Sequence, residues 1–153
     1  MSTSDWKTWF RNAKEHLAIA KKAQALGLDE VAYEKAVIAG ECALKSVLIK
    51  HGQFSRDDWT HDQETILNKI KGLGLISPTI LSQIEDIITD RDGVDGLYWV
   101  NLNVGVIHQD CPHIAQIRYP TDNYTSYDML KSGNAKEKIF LAENLIRILE
   151  GNF

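Results

Sequence analysis

Residues 28–52, LDEVAYEKAVIAGECALKSVLIKHG, constrain the fold more than any other stretch. Asp29 and Glu30 suit the positive N-terminal end of a helix, Lys50 and His51 suit its negative end, and Gly52 stops it. Ala36, Ala39, Gly40 and Ala43 are small. Small residues in mid-helix let a neighbouring helix come close, which offsets the intrinsic cost of Gly40, about 1 kcal/mol relative to alanine. The packing partners of such a helix are then other helices.

Periodicity supplies those partners. Trp6, Phe10, Ala13, Leu17 and Ala20 share one face of a helix running from about residue 5 to Gly27. Thr60-His61-Asp62-Gln63 has the spacing of a capping box, and Ile66, Leu67, Ile70 and Leu73 form the buried stripe of the helix it opens, stopped by Gly72 and Gly74. Ser77-Pro78 starts a fourth helix with Ile80, Leu81, Ile84, Ile87 and Ile88 as its apolar side. Asn134 and Glu137 resemble a capping pair before a last helix whose core face is Ala135, Ile139, Ala142, Ile146 and Leu149, closed by Gly151. Residues 94–109 satisfy both strand alternation and helical spacing, and read as an irregular insertion. A short helix follows from Cys111-Pro112 to Arg118, after which Tyr119 turns extended because it precedes Pro120. These elements predict an all-α fold, an antiparallel up-and-down bundle of five to six helices.

The length of 153 residues suits one domain, here taken as 1–153. Hydrophobic residues at 44% and charged residues at 25% exclude a disordered or fibrous chain. No apolar run reaches the roughly 18–20 residues of a membrane span, and the start MSTSDWKTWF lacks the pattern of a secretory leader, so no membrane is expected and the location is read as cytoplasmic. Cys42 and Cys111 fit reduced thiols, Cys42 a buried one. A formal net charge of −4 argues against broad adhesion to nucleic acid and leaves room for a local basic patch.

Several segments in order resemble one family. DWKTWFRNAKEHLAIA is similar to the first helix of HEPN domains, and AVIAGECALKSVLIKHG to their second, with Glu41 and Lys45 among alanines. HDQETILNKI, with His61, is similar to the helix that follows, and IRYP at 117–120 to the Arg-Tyr-Pro before the last helix in the branch that partners minimal nucleotidyltransferases. The likeness spares only about residues 94–112. It implies a two-fold homodimer with a groove that binds a nucleotide or RNA. Many members are metal-independent ribonucleases carrying Arg, four to six residues, then His before the last helix.

Cleavage needs a group to move the proton of the ribose 2′-hydroxyl or of the leaving oxygen, and a cation on the phosphate. Arg118 stands in the matching place, while the window for the histidine holds Asn123, Tyr124 and Thr125. Two other pairs fit the bare pattern. Arg11 and His16 lie 140° apart around one helix and do not converge. Arg56 and His61 straddle a loop and a helix start, where convergence is sterically allowed or His61 simply packs against a loop. Arg118 and Tyr119 offer a fork for phosphate and a ring for stacking, and Lys131, Lys136 and Lys138 at the start of the last helix offer cations to an anion. Trp6, Trp9, Trp59 and Trp99 carry rings able to stack on bases, with Trp6 and Trp9 read as packing residues, and Tyr124 and Tyr127 resemble a tyrosine that the partner nucleotidyltransferase modifies. His108, Asp110, Cys111 and His113 in HQDCPH are ligand types without a second pair elsewhere, so no metal or other cofactor is assigned.

The resulting expectation is a nucleotide- or RNA-binding module lined by Arg118, Tyr119, His61, Lys131 and Lys136, working beside a minimal nucleotidyltransferase in a toxin–antitoxin or defence pair. The alternatives are a metal-independent ribonuclease, using Arg118 with His61 or His113 as a displaced acid/base, and a helical interaction protein without ligand.

Overall fold

The computed structural model describes residues 5–89, 96–97 and 134–153. Among these residues there are five α-helices and no strand: α1 Trp6–Ala25, α2 Asp29–Lys50, α3 Gln63–Gly72, α4 Pro78–Ile88 and α5 Asn134–Glu150, with a 3₁₀ turn at Arg56–Asp58. The fold is all-helical, as the periodicities predict. No helix among the described residues is long and apolar enough to cross a membrane.

Helix α2 is the centre. From Ala39 to Ile49 every residue is buried, charged ones included. A helix enclosed on all sides cannot be amphipathic, and α1, α3 and α5 each pack against it. The turn between α1 and α2 is three residues long, with Gly27 at φ 75°, a left-handed conformation that glycine adopts without a Cβ penalty, so the two helices run antiparallel. Lys14 pairs with Glu150 at 2.5 Å and Lys21 with Glu143 at 3.1 Å. Sequence number rises on α1 as it falls on α5, so these two helices are antiparallel as well. Both pairs are half-exposed and add little stability, and apolar burial holds the interface.

Most of the predicted core stripes are buried: Phe10, Ala13, Leu17 and Ala20 on α1, Leu81, Ile84, Ile87 and Ile88 on α4, and Ala135, Ile139, Ala142, Ile146 and Leu149 on α5. Trp6 is only half-buried, tilted against Phe153 with ring centroids 4.7 Å apart. On α3, Ile66, Leu67 and Ile70 are buried, but Leu73 caps the C-terminus and is 45% exposed, because the helix ends before the stripe can carry it inward.

The small residues of α2 admit more than a helix. A Cβ on Gly40 would lie 2.5 Å from Leu97 Cδ2 and 3.0 Å from Gln63 Oε1, so both side chains press onto bare backbone there. Leu97 is fully buried, and its N–H donates to the Ile87 carbonyl at 2.6 Å. Beside it, the fully buried Lys138 of α5 donates through Nζ to the Gly96 carbonyl and lies 5.8 Å from the Tyr33 ring centroid. Lys138 is therefore not the exposed cation expected of it at the start of the last helix. It falls on the face of Ala135 and Ala142, three and four residues away, and helical spacing turns it inward with them.

The start of α3 also differs from the expected capping box. Asp62 is the N-cap, accepting from Thr65 N–H at 3.1 Å, and the Thr60 hydroxyl accepts from Asp62 N–H at 3.1 Å. Gln63 is buried and donates through Nε2 to the Val37 carbonyl at 2.7 Å, so its amide is committed to α2 and does not reach back to the cap. A capping box does occur, one turn earlier, at Ser55 and Asp58.

Candidate functional site

Glu41 and Lys45 sit one turn apart on α2 and share a face. Enclosure of that helix removes both from water: their side chains are 11% and 4% exposed. Lys45 Nζ donates to Glu41 Oε2 at 3.3 Å. The other carboxylate oxygen, Oε1, meets His61 Nδ1 at 2.7 Å, while the His61 side chain is 76% exposed. A buried carboxylate thus anchors an imidazole that stands in solvent. A carboxylate accepts, so Nδ1 is the donor in this bond, and Nε2 is the ring nitrogen that it leaves for other partners.

The chain before α3 sets the position of that ring. Ser55 donates to Asp58 Oδ2 through its backbone N–H at 2.7 Å and its hydroxyl at 3.1 Å. Lys69 of α3 reaches the same oxygen at 2.6 Å, pinning the 3₁₀ turn to α3. Burial alone would raise the Asp58 carboxyl, but Lys69 and the Ser55 donors outweigh it and hold its pKa below the ordinary value. Replacing Asp58 by alanine is expected to destabilise the fold by about 1–3 kcal/mol. A carboxyl with a lowered folded pKa stabilises above its unfolded pKa and loses that contribution as pH falls through the folded one. In urea titrations the gap between wild type and Asp58→Ala is therefore full at about pH 6 and closes below about pH 4.

Between these anchors lies Trp59. Its ring contacts the buried Trp9 at 5.7 Å and Phe54 edge-on at 5.3 Å, and Lys45 Nζ lies 5.8 Å from its centroid. Lys45 links the carboxylate to the indole.

On α1, His16 is half-buried and its pKa is lowered, chiefly by burial and then by Lys35, with Glu15 and Glu41 opposing. It lies within electrostatic reach of the same carboxylate. Arg11 does not accompany it: it lies 140° around the helix from His16, is exposed, and pairs with Glu15 one turn on at 3.9 Å. Cys42 accepts from the Asn12 amide at 3.6 Å, and burial, helped by Glu41, pushes its thiol up to about 11. That thiol is no nucleophile near neutral pH.

Of the residues predicted to contact ligand, His61 is placed in this cluster and Lys136 is exposed in the first turn of α5, on a different element. Arg118, Tyr119 and Lys131 lie outside the described residues, as do the HQDCPH run, the segment leading to Arg118 and almost all of the 94–109 insertion. Among the described residues no three His, Cys, Asp or Glu side chains are grouped to hold a metal ion. Glu41 and Lys45 were not singled out from sequence as site residues, and Trp59 stood only among four tryptophans able to stack on a base. The available signal was a Glu–Lys pair four apart inside an otherwise apolar helix, where two charges on one face need a reason to be there.

A family model of the HEPN domain matches residues 6–152. The chain belongs to the HEPN family. Neither a comparison with curated proteins nor one with solved structures returns a significant match. In this HEPN domain the surface histidine and the buried Glu–Lys pair come from different elements, so the cluster depends on α2 and the α3 entry packing together.

Proposed function

We propose that this HEPN domain is a nucleotide- or RNA-binding module that receives a ligand at His61, with Arg118, Tyr119, Lys131 and Lys136 as further contacts, in a homodimer. The observation that carries this reading is the 2.7 Å bond from His61 Nδ1 to buried Glu41, with the ring itself in solvent. A histidine that only packs buries its ring. One fixed by a buried carboxylate and left exposed is held to present Nε2, the atom that donates to phosphate when protonated and accepts from a hydroxyl when neutral. In its setting, such a module works beside a minimal nucleotidyltransferase in a toxin–antitoxin or defence pair, a role suggested by its resemblance to the Arg-Tyr-Pro branch.

Binding of a short single-stranded RNA, followed by fluorescence anisotropy in chelator, tests the reading. His61→Ala is expected to weaken binding about tenfold or more, the loss of one hydrogen bond to a charged group. Unchanged affinity would remove His61 from the site.

A second reading, a metal-independent ribonuclease, is favoured by the same orientation. Nε2 is the acid/base that the residues after Arg118 lack, and Glu41 would stabilise the imidazolium formed when it takes the 2′-hydroxyl proton. Chelator-resistant cleavage lost in both His61→Ala and Arg118→Ala would establish it, and intact RNA after long incubation with wild type would rule it out.

A further inference from the structure

We infer that Trp59 is the stacking platform of the site, and that the ligand is accordingly a single-stranded nucleic acid with an unstacked base lying on the indole while its phosphate meets His61. This inference rests on the proposed function and narrows it to a substrate class.

Four observations converge. Trp59 is 58% exposed, a large aromatic surface left in water although Trp9 and Phe54 stand beside it. Its packing is tilted against Trp9 and edge-on to Phe54, arrangements that fix the ring without covering it with a parallel neighbour. The backbone before it is tied down by the Ser55–Asp58–Lys69 network, which fixes where the indole leaves the chain. Finally, Lys45 joins the two halves of the site, bonding Glu41 at 3.3 Å and lying 5.8 Å from the Trp59 centroid.

These halves match the parts of a nucleotide. His61, two residues on, addresses the phosphate or ribose, and Arg56 on the 3₁₀ turn adds an exposed cation on the same connection. A base is the group that an exposed indole ring accepts, and stacking tolerates any base because each has a π-face. Inside a duplex that face is already stacked, and A-form RNA offers side chains mainly its backbone and shallow groove. Exposed aliphatic residues at the α1–α2 turn, Leu26, Leu28 and Val31, lack both the ring and the adjoining charge.

The test uses the full chain and a short single-stranded RNA carrying 2-aminopurine, with the complementary duplex as competitor. Wild type is expected to quench the 2-aminopurine on binding, and the duplex to compete poorly. Trp59→Ala should lower affinity about 5- to 150-fold and abolish the quench, the range for one base–aromatic stack. Trp59→Phe, which retains a ring against Trp9 and Phe54, should keep most of the affinity and guards against a folding artefact. If Trp59→Ala binds within twofold of wild type while His61→Ala binds weakly, stacking is refuted and the binding module stands. If the duplex binds as well as the single strand, the substrate class is refuted. If wild type binds neither, this inference falls together with the RNA-binding reading of the proposed function.

Discussion

Glu41→Leu is expected to lower stability by about 3–5 kcal/mol and the melting temperature by roughly 6–20 °C. The reason is Lys45. Its side chain is 4% exposed, and the Glu41 carboxylate at 3.3 Å is the charge that balances it. Leucine fits the space but accepts no hydrogen bond, so the ammonium is left with the Trp59 ring, too weak a partner to offset its desolvation. The double variant Glu41→Leu/Lys45→Met should return to within about 1 kcal/mol of wild type or above it, because removing both charges also removes the need to compensate either. Thermal and urea unfolding of the three variants reads this directly. A single variant as stable as wild type would show that the pair does not hold α2 in place. The double variant also separates fold from function: it restores the core and leaves His61 without its anchor, so ligand affinity should not recover.

The second large effect is Gly96→Ala. A Cβ there would meet the Ile88 carbonyl oxygen at 2.5 Å, the Thr89 carbonyl carbon at 2.5 Å and the Thr89 oxygen at 2.6 Å. All three are backbone atoms at the end of α4, which cannot rotate away as a side-chain tip can. Making room shifts Gly96 itself, and with it the carbonyl that Lys138 reaches and the Leu97 N–H bonded to Ile87. The expected loss is about 3 kcal/mol, at the upper end for overpacking. Gly72→Ala is the matched control, since Gly72 is helical and an added Cβ meets nothing within 4 Å. It should be neutral or stabilise by up to about 1 kcal/mol, through helix propensity and a less flexible unfolded chain. Equal effects at the two glycines would mean that the contacts at Gly96 do not matter.

What could be read from the sequence divides along the range of the interactions. Helix existence and core faces follow from local periodicity, so Phe10 to Ala20 and Leu81 to Ile88 were legible, and Ser77 caps α4 as its Ser-Pro signal indicates. The errors occur where a distant partner overrides a local preference. Gln63 fits a capping box, yet a carbonyl 26 residues earlier takes its amide. Lys138 looks like a surface cation beside Lys136, yet the Gly96 carbonyl and the Tyr33 ring hold it inside. His61 had a local reading, packing at a helix start, and a functional one. Its bond to Glu41 spans 20 residues, and no spacing rule connects them. Arg118 and Tyr119 rest on the family resemblance, and Lys131 on its charge at the start of the last helix.

The enclosure of α2 has a consequence for how this molecule can change over generations. Positions 41 and 45 are answerable to the interior and, under the proposed function, to the ligand as well. A lineage that abandons the ligand can exchange both charges for apolar side chains, but each single step passes through a form with one unmatched ion in the interior. The two positions are thereby locked together, and drift at either is blocked until the other moves with it.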